Sequence, residues 1–193
     1  MVTVSNVKVY DLEECICAAR NPMRVKPSKY DADDFLVSLE RAKKLAAITH
    51  NSAHINFLKG IRVSFDIEYP QYFSPQLQRY LFIDIVSSSS KDHRLARLVE
   101  SDCFNKYVTP ETKQLLQTYV DAYNENTTYE NYMRMLSNCP LGLQLFMRIS
   151  TNYMCLRNLY NQRREDKLKE DWGAILDMIR NLPYANEFLT LGK

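Results

Sequence analysis

Apolar and polar positions alternate from Val2 to Tyr10 in VTVSNVKVY, and this two-residue period predicts a strand. Asp11 with Glu14 three residues later forms a capping pattern, so DLEECICAAR is expected to be a helix reaching Arg20. NPMRVKPSKYDADD, with two prolines, reads as a loop. From Asp34 to about Thr49 the period changes: Phe35, Leu36, Leu39, Ala42, Leu45 and Ala46 recur at helical spacing. A polar turn, HNSAHIN, then leads to IRVSFDIEY. Val63, Phe65, Ile67 and Tyr69 fall on one face of that stretch and Arg62, Ser64, Asp66 and Glu68 on the other, the clearest strand pattern in the chain.

Helical signals dominate the remainder. Ser74-Pro75 is an N-cap and first-turn pair, predicting a helix that carries Arg79 and runs toward the serine run Ser87–Ser90. Thr109-Pro110-Glu111 repeats that start signal, for a helix to about Asn124. Asn126-Thr127-Thr128 is a break, followed by a short helix through Tyr132 and Met135. The segment from Pro140 to Asp166 has apolar residues around much of a helical wheel, so a long, mostly buried helix is expected there. Unpaired polar groups inside a protein are costly. Some of Arg148, Asn152, Arg157, Asn158, Asn161, Gln162 and Arg163 on such a helix should therefore point at a ligand or a partner subunit. An amphipathic helix around Trp172, Ile175, Leu176 and Ile179 closes the pattern. With no repeat and no linker, residues 1–193 read as a single α/β (α+β) domain.

Composition narrows the chemistry. Four glycines exclude a G-x-G-x-x-G dinucleotide loop and a P-loop, and a net charge of +2 does not point to nucleic acid or an anionic membrane. No membrane-length apolar run or signal peptide is legible, so a cytoplasmic protein is expected. Five scattered cysteines form no C-x-x-C pair and read as reduced, packed side chains rather than as a metal set.

Three patches remain as candidates: His54 in the turn before the good strand; Arg79 with Ser87, Ser88, Ser89, Ser90, Lys91, His93 and Arg94; and Asn158, Asn161 and Arg163 near the end of the long segment. Each has a plain alternative. His54 could be a capping residue and Arg79 an ordinary surface residue. SSSSKDHR could be a flexible loop instead of an anion cradle, and the asparagines could be polar groups of a subunit interface.

The order of these patches resembles the flavin-dependent thymidylate synthases, the ThyX family. Ala18-Ala19-Arg20 ends the first helix as in that family. His54-Ile55-Asn56 precedes Val63-Ser64-Phe65-Asp66-Ile67 as its histidine turn precedes a strand, and Gln76-Leu77-Gln78-Arg79 falls where its arginine motif R-H-R-x-x-S-x-N-E-x-S-x-R-Y begins. Pro140-Leu141-Gly142-Leu143 leads to Asn152, Leu156, Asn158, Asn161 and Arg163, following its pattern P-L-x-L and N-x-x-x-L-x-N-x-x-x-L-R. The chain departs at Tyr80, Leu81, Asp84, Val86 and Ser87, where the motif has histidine, arginine, serine, asparagine and glutamate. Lys91, or Arg94 in a shifted register, stands for its last arginine.

The resemblance implies a central antiparallel or mixed sheet with flanking helices and a long buried C-terminal helix. It implies FAD held between subunits of a homotetramer, with NADPH and methylenetetrahydrofolate as co-substrates and deoxyuridylate or a related pyrimidine nucleotide as methyl acceptor, without a cysteine nucleophile. His54, Asn56, Arg79, Asn152 and Asn158 would then meet the cofactor. Ser87, Ser88, Ser89, Lys91, Arg94 and Arg163 would meet the nucleotide. The alternative is a non-catalytic relative that keeps the fold as a nucleotide-binding or protein-interaction module.

Overall fold

The computed structural model describes residues 1–48 and 53–192. The expected helix end at Thr49 and the front of the expected His50–Asn56 turn lie outside these. Four strands, β1 (Thr3–Tyr10), β2 (Arg62–Pro70), β3 (Asp84–Ser88) and β4 (Gln144–Asn152), form an antiparallel sheet in the order β1-β2-β4-β3. Val63, Phe65, Ile67 and Tyr69 of β2 are buried with Leu145, Met147, Ile149 and Thr151 of β4. Each large apolar side chain so buried contributes about 1.5–3 kcal/mol. The opposite face, with Ser64, Asp66, Glu68, Phe146, Arg148 and Ser150, is half-buried or exposed.

The helices are α1 (Leu12–Ala18), α2 (Ala32–Ala46), α3 (Ser74–Leu77), α4 (Lys91–Glu100), α5 (Pro110–Glu125), α6 (Tyr129–Ser137), α7 (Tyr153–Arg163) and α8 (Lys169–Arg180). Five of these starts carry a side-chain cap, whereas α1, α3 and α8 have none, and the expected cap Ser74 lies inside α3 behind Phe73. Asp31, Thr109 and Thr128 each accept a hydrogen bond from the backbone N–H three residues on. Asp11 does not cap; it sits in the left-handed region at φ 58° and makes no side-chain bond to α1. One continuous cluster of buried side chains joins the sheet to the helices.

The structure corrects two of the expected elements. The long helix over Pro140–Asp166 is instead β4 followed by α7, because Leu145, Met147, Ile149 and Thr151 alternate with Phe146, Arg148, Ser150 and Asn152 at a period of two. Asn152 ends the strand, and its Oδ1 accepts from the Cys155 N–H at 2.9 Å, starting α7. The helix opened by Ser74-Pro75 stops at Leu77, leaving Arg79 in the turn beyond it; Ile83 leads into β3, which holds Ile85, Ser87 and Ser88, while Ser89 and Ser90 follow it.

A buried carboxylate ties the first strand to α8. Asp171, 3% exposed, accepts from the Val2 N–H at 3.0 Å and from the Tyr72 hydroxyl at 2.8 Å. Burial, then this bond to an anion, pushes the Tyr72 pKa up to about 12. The unfolded chain ionises Tyr72 near the ordinary phenol value of about 10. The stabilisation is therefore complete below that pH and is lost as pH rises toward 12. Burial raises the pKa of Tyr69, Tyr80 and Tyr153 as well. Unfolding followed by circular dichroism should show stability falling steeply above about pH 10, and less steeply in Tyr72→Phe.

Candidate functional site

The polar face of the sheet is organised in rows. Strand pairing sets Ser5 beside Asp66, Asp66 beside Arg148 and Arg148 beside Ser87, so one row crosses all four strands. The next row sets Thr3 beside Glu68 and Glu68 beside Phe146. Ser89 completes it, because its N–H donates to the Phe146 carbonyl at 2.8 Å and its hydroxyl accepts from the Phe146 N–H at 3.0 Å. A bulge interrupts each outer strand at this level, between Ser5 and Lys8 in β1 and between Ile85 and Ser87 in β3. Bulges re-aim side chains and are common beside binding sites.

In the first bulge Asn6 adopts φ 50°. Its amide donates to Asp66 Oδ2 at 2.6 Å, and Arg148 Nη1 donates to Asp66 Oδ1 at 3.0 Å and to the Asn6 carbonyl at 3.1 Å. The bond from Asn6, then that from Arg148, holds the Asp66 carboxyl below the usual carboxylate range. Over these rows lies a groove of about 420 Å³, lined by Asn6, Asp66, Glu68, Phe146, Arg148 and the hydroxyls of Ser87, Ser88 and Ser89, among others.

Ser89 also lines a second cleft, of about 590 Å³, at the end of the sheet. Here it is joined by Ser90, Lys91, Ser74, Gln78, Tyr69, Tyr72 and Gln71. Ser90 caps α4, accepting from the His93 N–H at 3.3 Å. The serine run is thus strand end, junction and cap in succession, not a flexible loop. The Oε1 of Gln71 is buried without a hydrogen-bond partner in the structure, which marks the cleft as short of a donor.

The other expected site residues are spread more widely. His54 and Asn56 are exposed on the 3-10 turn Ala53–Lys59, which packs on α7 through its buried side. Arg79 is exposed beyond α3, and Asn158 and Asn161 are exposed on α7 rather than buried. Asn152 spends its side-chain oxygen as a helix cap. Arg94 lines a third recess with Asp92, Arg97, Tyr123 and Tyr132. Arg157, buried on α7, donates to the Ala46 carbonyl at 2.9 Å, so it serves the C-terminal end of α2.

Arg163 sits in a box. Its Nε donates to the Tyr80 hydroxyl at 2.8 Å, and its Nη1 donates to Asp166 at 2.7 Å and to Gln76 at 3.5 Å. Its guanidinium lies 4.7 Å from the Trp172 ring centroid and 5.6 Å from that of Tyr80. Burial alone would lower the Arg163 pKa, but the bonds to Asp166 and Tyr80 outweigh it and the net shift is upward. Sequence reasoning missed Asn6, Asp66, Glu68 and Phe146, and placed Arg148 on a buried helix rather than on the open sheet. The alternation on β2 and β4 was the available signal, since polar side chains there share one face.

No family model matches the chain, and no curated protein matches it. Solved structures do. The thymidylate synthase ThyX of Helicobacter pylori, with FAD and dUMP, superposes with a TM-score of 0.71 at 16% identity, covering 98% of this chain and 97% of that one. The chain has the ThyX fold. A second complex of the H. pylori enzyme with FAD and dUMP gives a TM-score of 0.69 at 17% identity, over 97% and 96% of the two chains. The UMP/dUMP methylase PolB of Streptomyces cacaoi, bound with 5-Br dUMP, gives 0.64 at 13% identity, over 100% and 94%.

Within the ThyX fold, the arrangement around Ser89 offers hydroxyls, the Lys91 ammonium, the Asp92 carboxylate, aromatic surfaces and an unsatisfied amide oxygen. Burial, with Asp11 and Glu14 adding to it, pushes the Cys15 thiol pKa up to about 11, and burial also raises Cys17, Cys139 and Cys155. Among the described residues, no group of His, Cys, Asp and Glu could hold a metal ion and no helix is long and apolar enough to cross a membrane.

Proposed function

We propose that the protein is a ThyX-like flavoprotein that binds a pyrimidine 5′-monophosphate around Ser89 and methylates it. One observation carries this reading: Ser89 lines both the open sheet groove and the Lys91 cleft, so a small ligand lying across Ser89 would touch both. The cleft volume falls within the range of small-molecule sites, roughly 300–1,000 Å³. Lys91 with the Ser89 and Ser90 hydroxyls would hold the phosphate, since an ammonium and hydroxyls donate to its oxygens. Ser87 and Ser88 would line the ribose side, and the exposed ring of Phe146 would carry the base.

The residues available for FAD are His54, Asn56, Arg79 and Asn158. All four are exposed, and among the described residues none of their side chains is spent on a hydrogen bond or ion pair within the protomer. This donor set fits a cofactor gripped between copies of the chain, consistent with a homotetramer; Asn152, occupied as a cap, fits less well. A bound flavin would supply the redox chemistry, with NADPH as reductant and methylenetetrahydrofolate as carbon donor. The protein's own part is to fix the nucleotide at Lys91 and Ser89 and to exclude water when subunits close over the sheet.

The absorbance spectrum of the purified protein, titrated with FAD and then with a pyrimidine nucleotide, tests this. Flavin bands that respond to the nucleotide are expected. In Lys91→Ala the nucleotide affinity should fall roughly ten- to a hundredfold, the worth of one charged hydrogen bond, without loss of fold. A colourless protein that takes up no FAD sinks the catalytic reading. The commitment of Arg163 to Tyr80, Gln76 and Asp166 favours a second reading, a nucleotide-binding module without catalysis.

A further inference from the structure

The groove over the sheet has an unusual balance for a uracil site. Its acidic groups are Asp66 and Glu68, and its one guanidinium, on Arg148, already serves Asp66 and the Asn6 carbonyl. Glu68 is the exposed carboxylate of the pair, and strand pairing places it directly beside Phe146. Side chains so paired have Cβ atoms about 4.5–5.5 Å apart. A ring lying on Phe146 therefore presents an edge to Glu68, while Arg148 stands in the adjoining row.

A carboxylate beside a guanidinium offers an acceptor next to a donor. Cytosine matches that pair, with its 4-amino donor next to the N3 and O2 acceptors; a carboxylate accepting from the cytosine amino group is a recurrent pairing. Uracil has only acceptors at O4 and O2, and a carboxylate reaching its N3–H meets repulsion from both. We infer that Glu68 selects a 4-aminopyrimidine, so the preferred nucleotide is a cytosine monophosphate rather than a uracil one. This rests on the nucleotide site proposed around Ser89 and names its substrate class.

The Glu68 carboxylate accepts from the 4-amino group, Arg148 donates to the ring acceptor beside it through N–H groups other than the Nη1 spent on Asp66 and Asn6, and Ser89 leads from the base to Lys91. Asp66 remains anionic because Asn6 and Arg148 hold it, which keeps the row in place. Glu68 has no comparable structural duty: it is exposed, with Thr3 and Phe146 as its cross-strand neighbours.

Isothermal titration of the purified protein, with FAD present, against dCMP and dUMP tests the assignment. The expected result is tighter binding of dCMP by roughly ten- to a hundredfold, the range of one charged hydrogen bond. In Glu68→Gln that preference should vanish or reverse, because the amide offers a donor to uracil O4, while the thermal transition stays where it was. Equal or tighter binding of dUMP by the native protein overturns the inference and leaves the nucleotide site standing. A dCMP preference that survives in Glu68→Gln overturns the role of Glu68. Binding of neither nucleotide overturns both the inference and the site beneath it.

Discussion

Replacing Trp172 by alanine should lower stability by about 3–5 kcal/mol, the usual cost of removing a buried large aromatic. For a chain of 193 residues this corresponds to a fall in Tm of roughly 10 °C. The Trp172 side chain is fully buried. Its ring lies 4.7 Å from the Phe73 ring and 6.4 Å from the Tyr80 ring, and its Nε1–H donates to Gln76 at 3.2 Å. The Arg163 guanidinium stacks on it. One side chain thus fastens α8, the end of α7 and the segment from Phe73 to Tyr80 together. That segment precedes β3 and the serine junction, so its loosening should also be felt at the proposed nucleotide site. Trp172→Phe separates the contributions in part: it keeps an aromatic ring against Phe73 but loses the bond to Gln76 and some buried volume, at a cost of about 1–3 kcal/mol. Thermal unfolding by differential scanning calorimetry measures both variants. A Tm fall of only a degree or two in Trp172→Ala would show that the ring is not the fastening point.

The elements that the sequence revealed were those with one dominant period or a strong start signal. β2 alternates cleanly, Thr109-Pro110 opens α5, and the apolar spacing of α2 and α8 follows the helical turn. β4 was hidden because its inward residues, Leu145, Met147, Ile149 and Thr151, run directly into the apolar positions of α7. Together they imitate a helix that is apolar all round. Only Asn152, as a cap, marks the change of period. α4 was hidden for the opposite reason, since it buries only Leu95 and Val99 among charged residues.

The site was legible in part for related reasons. The serine run and Lys91 could be suspected from their chemistry, and the structure brings Ser89 and Lys91 into one cleft. The polar partners Asp66, Glu68 and Arg148 come from strands more than seventy residues apart in sequence, and only the pairing of β2 with β4 makes them neighbours. Pairing across such a separation depends on register, which no local pattern states. The buried polar face expected on the long helix dissolved once its first part proved to be a strand. Arg148 moved to the open sheet, Arg157 to the end of α2, and Asn158 and Asn161 to the surface.

Arg163→Ala separates the two readings of the protein. The Arg163 side chain is 18% exposed and that of Asp166 17%, so the pair is largely shielded from water. Removing the guanidinium leaves the Asp166 carboxylate without its cation and the Tyr80 hydroxyl without its donor. The residual exposure tempers the penalty, and a loss of about 2–3 kcal/mol is expected. Arg163→Lys should rescue little of it, because an ammonium cannot bond Tyr80 and Asp166 in one plane while stacking on Trp172. A double-mutant cycle with Tyr80→Phe should give a coupling of about 0.5–3 kcal/mol, as for residues in direct contact. Since Arg163 lines neither the sheet groove nor the Lys91 cleft, nucleotide affinity should hold in the folded variant. A fall in nucleotide affinity with stability unchanged would return Arg163 to the nucleotide, in the role that the resemblance to the ThyX enzymes implies. The stability loss with affinity intact would instead make Tyr80, the residue standing in place of the motif's histidine, the reason that this arginine was withdrawn into the fold.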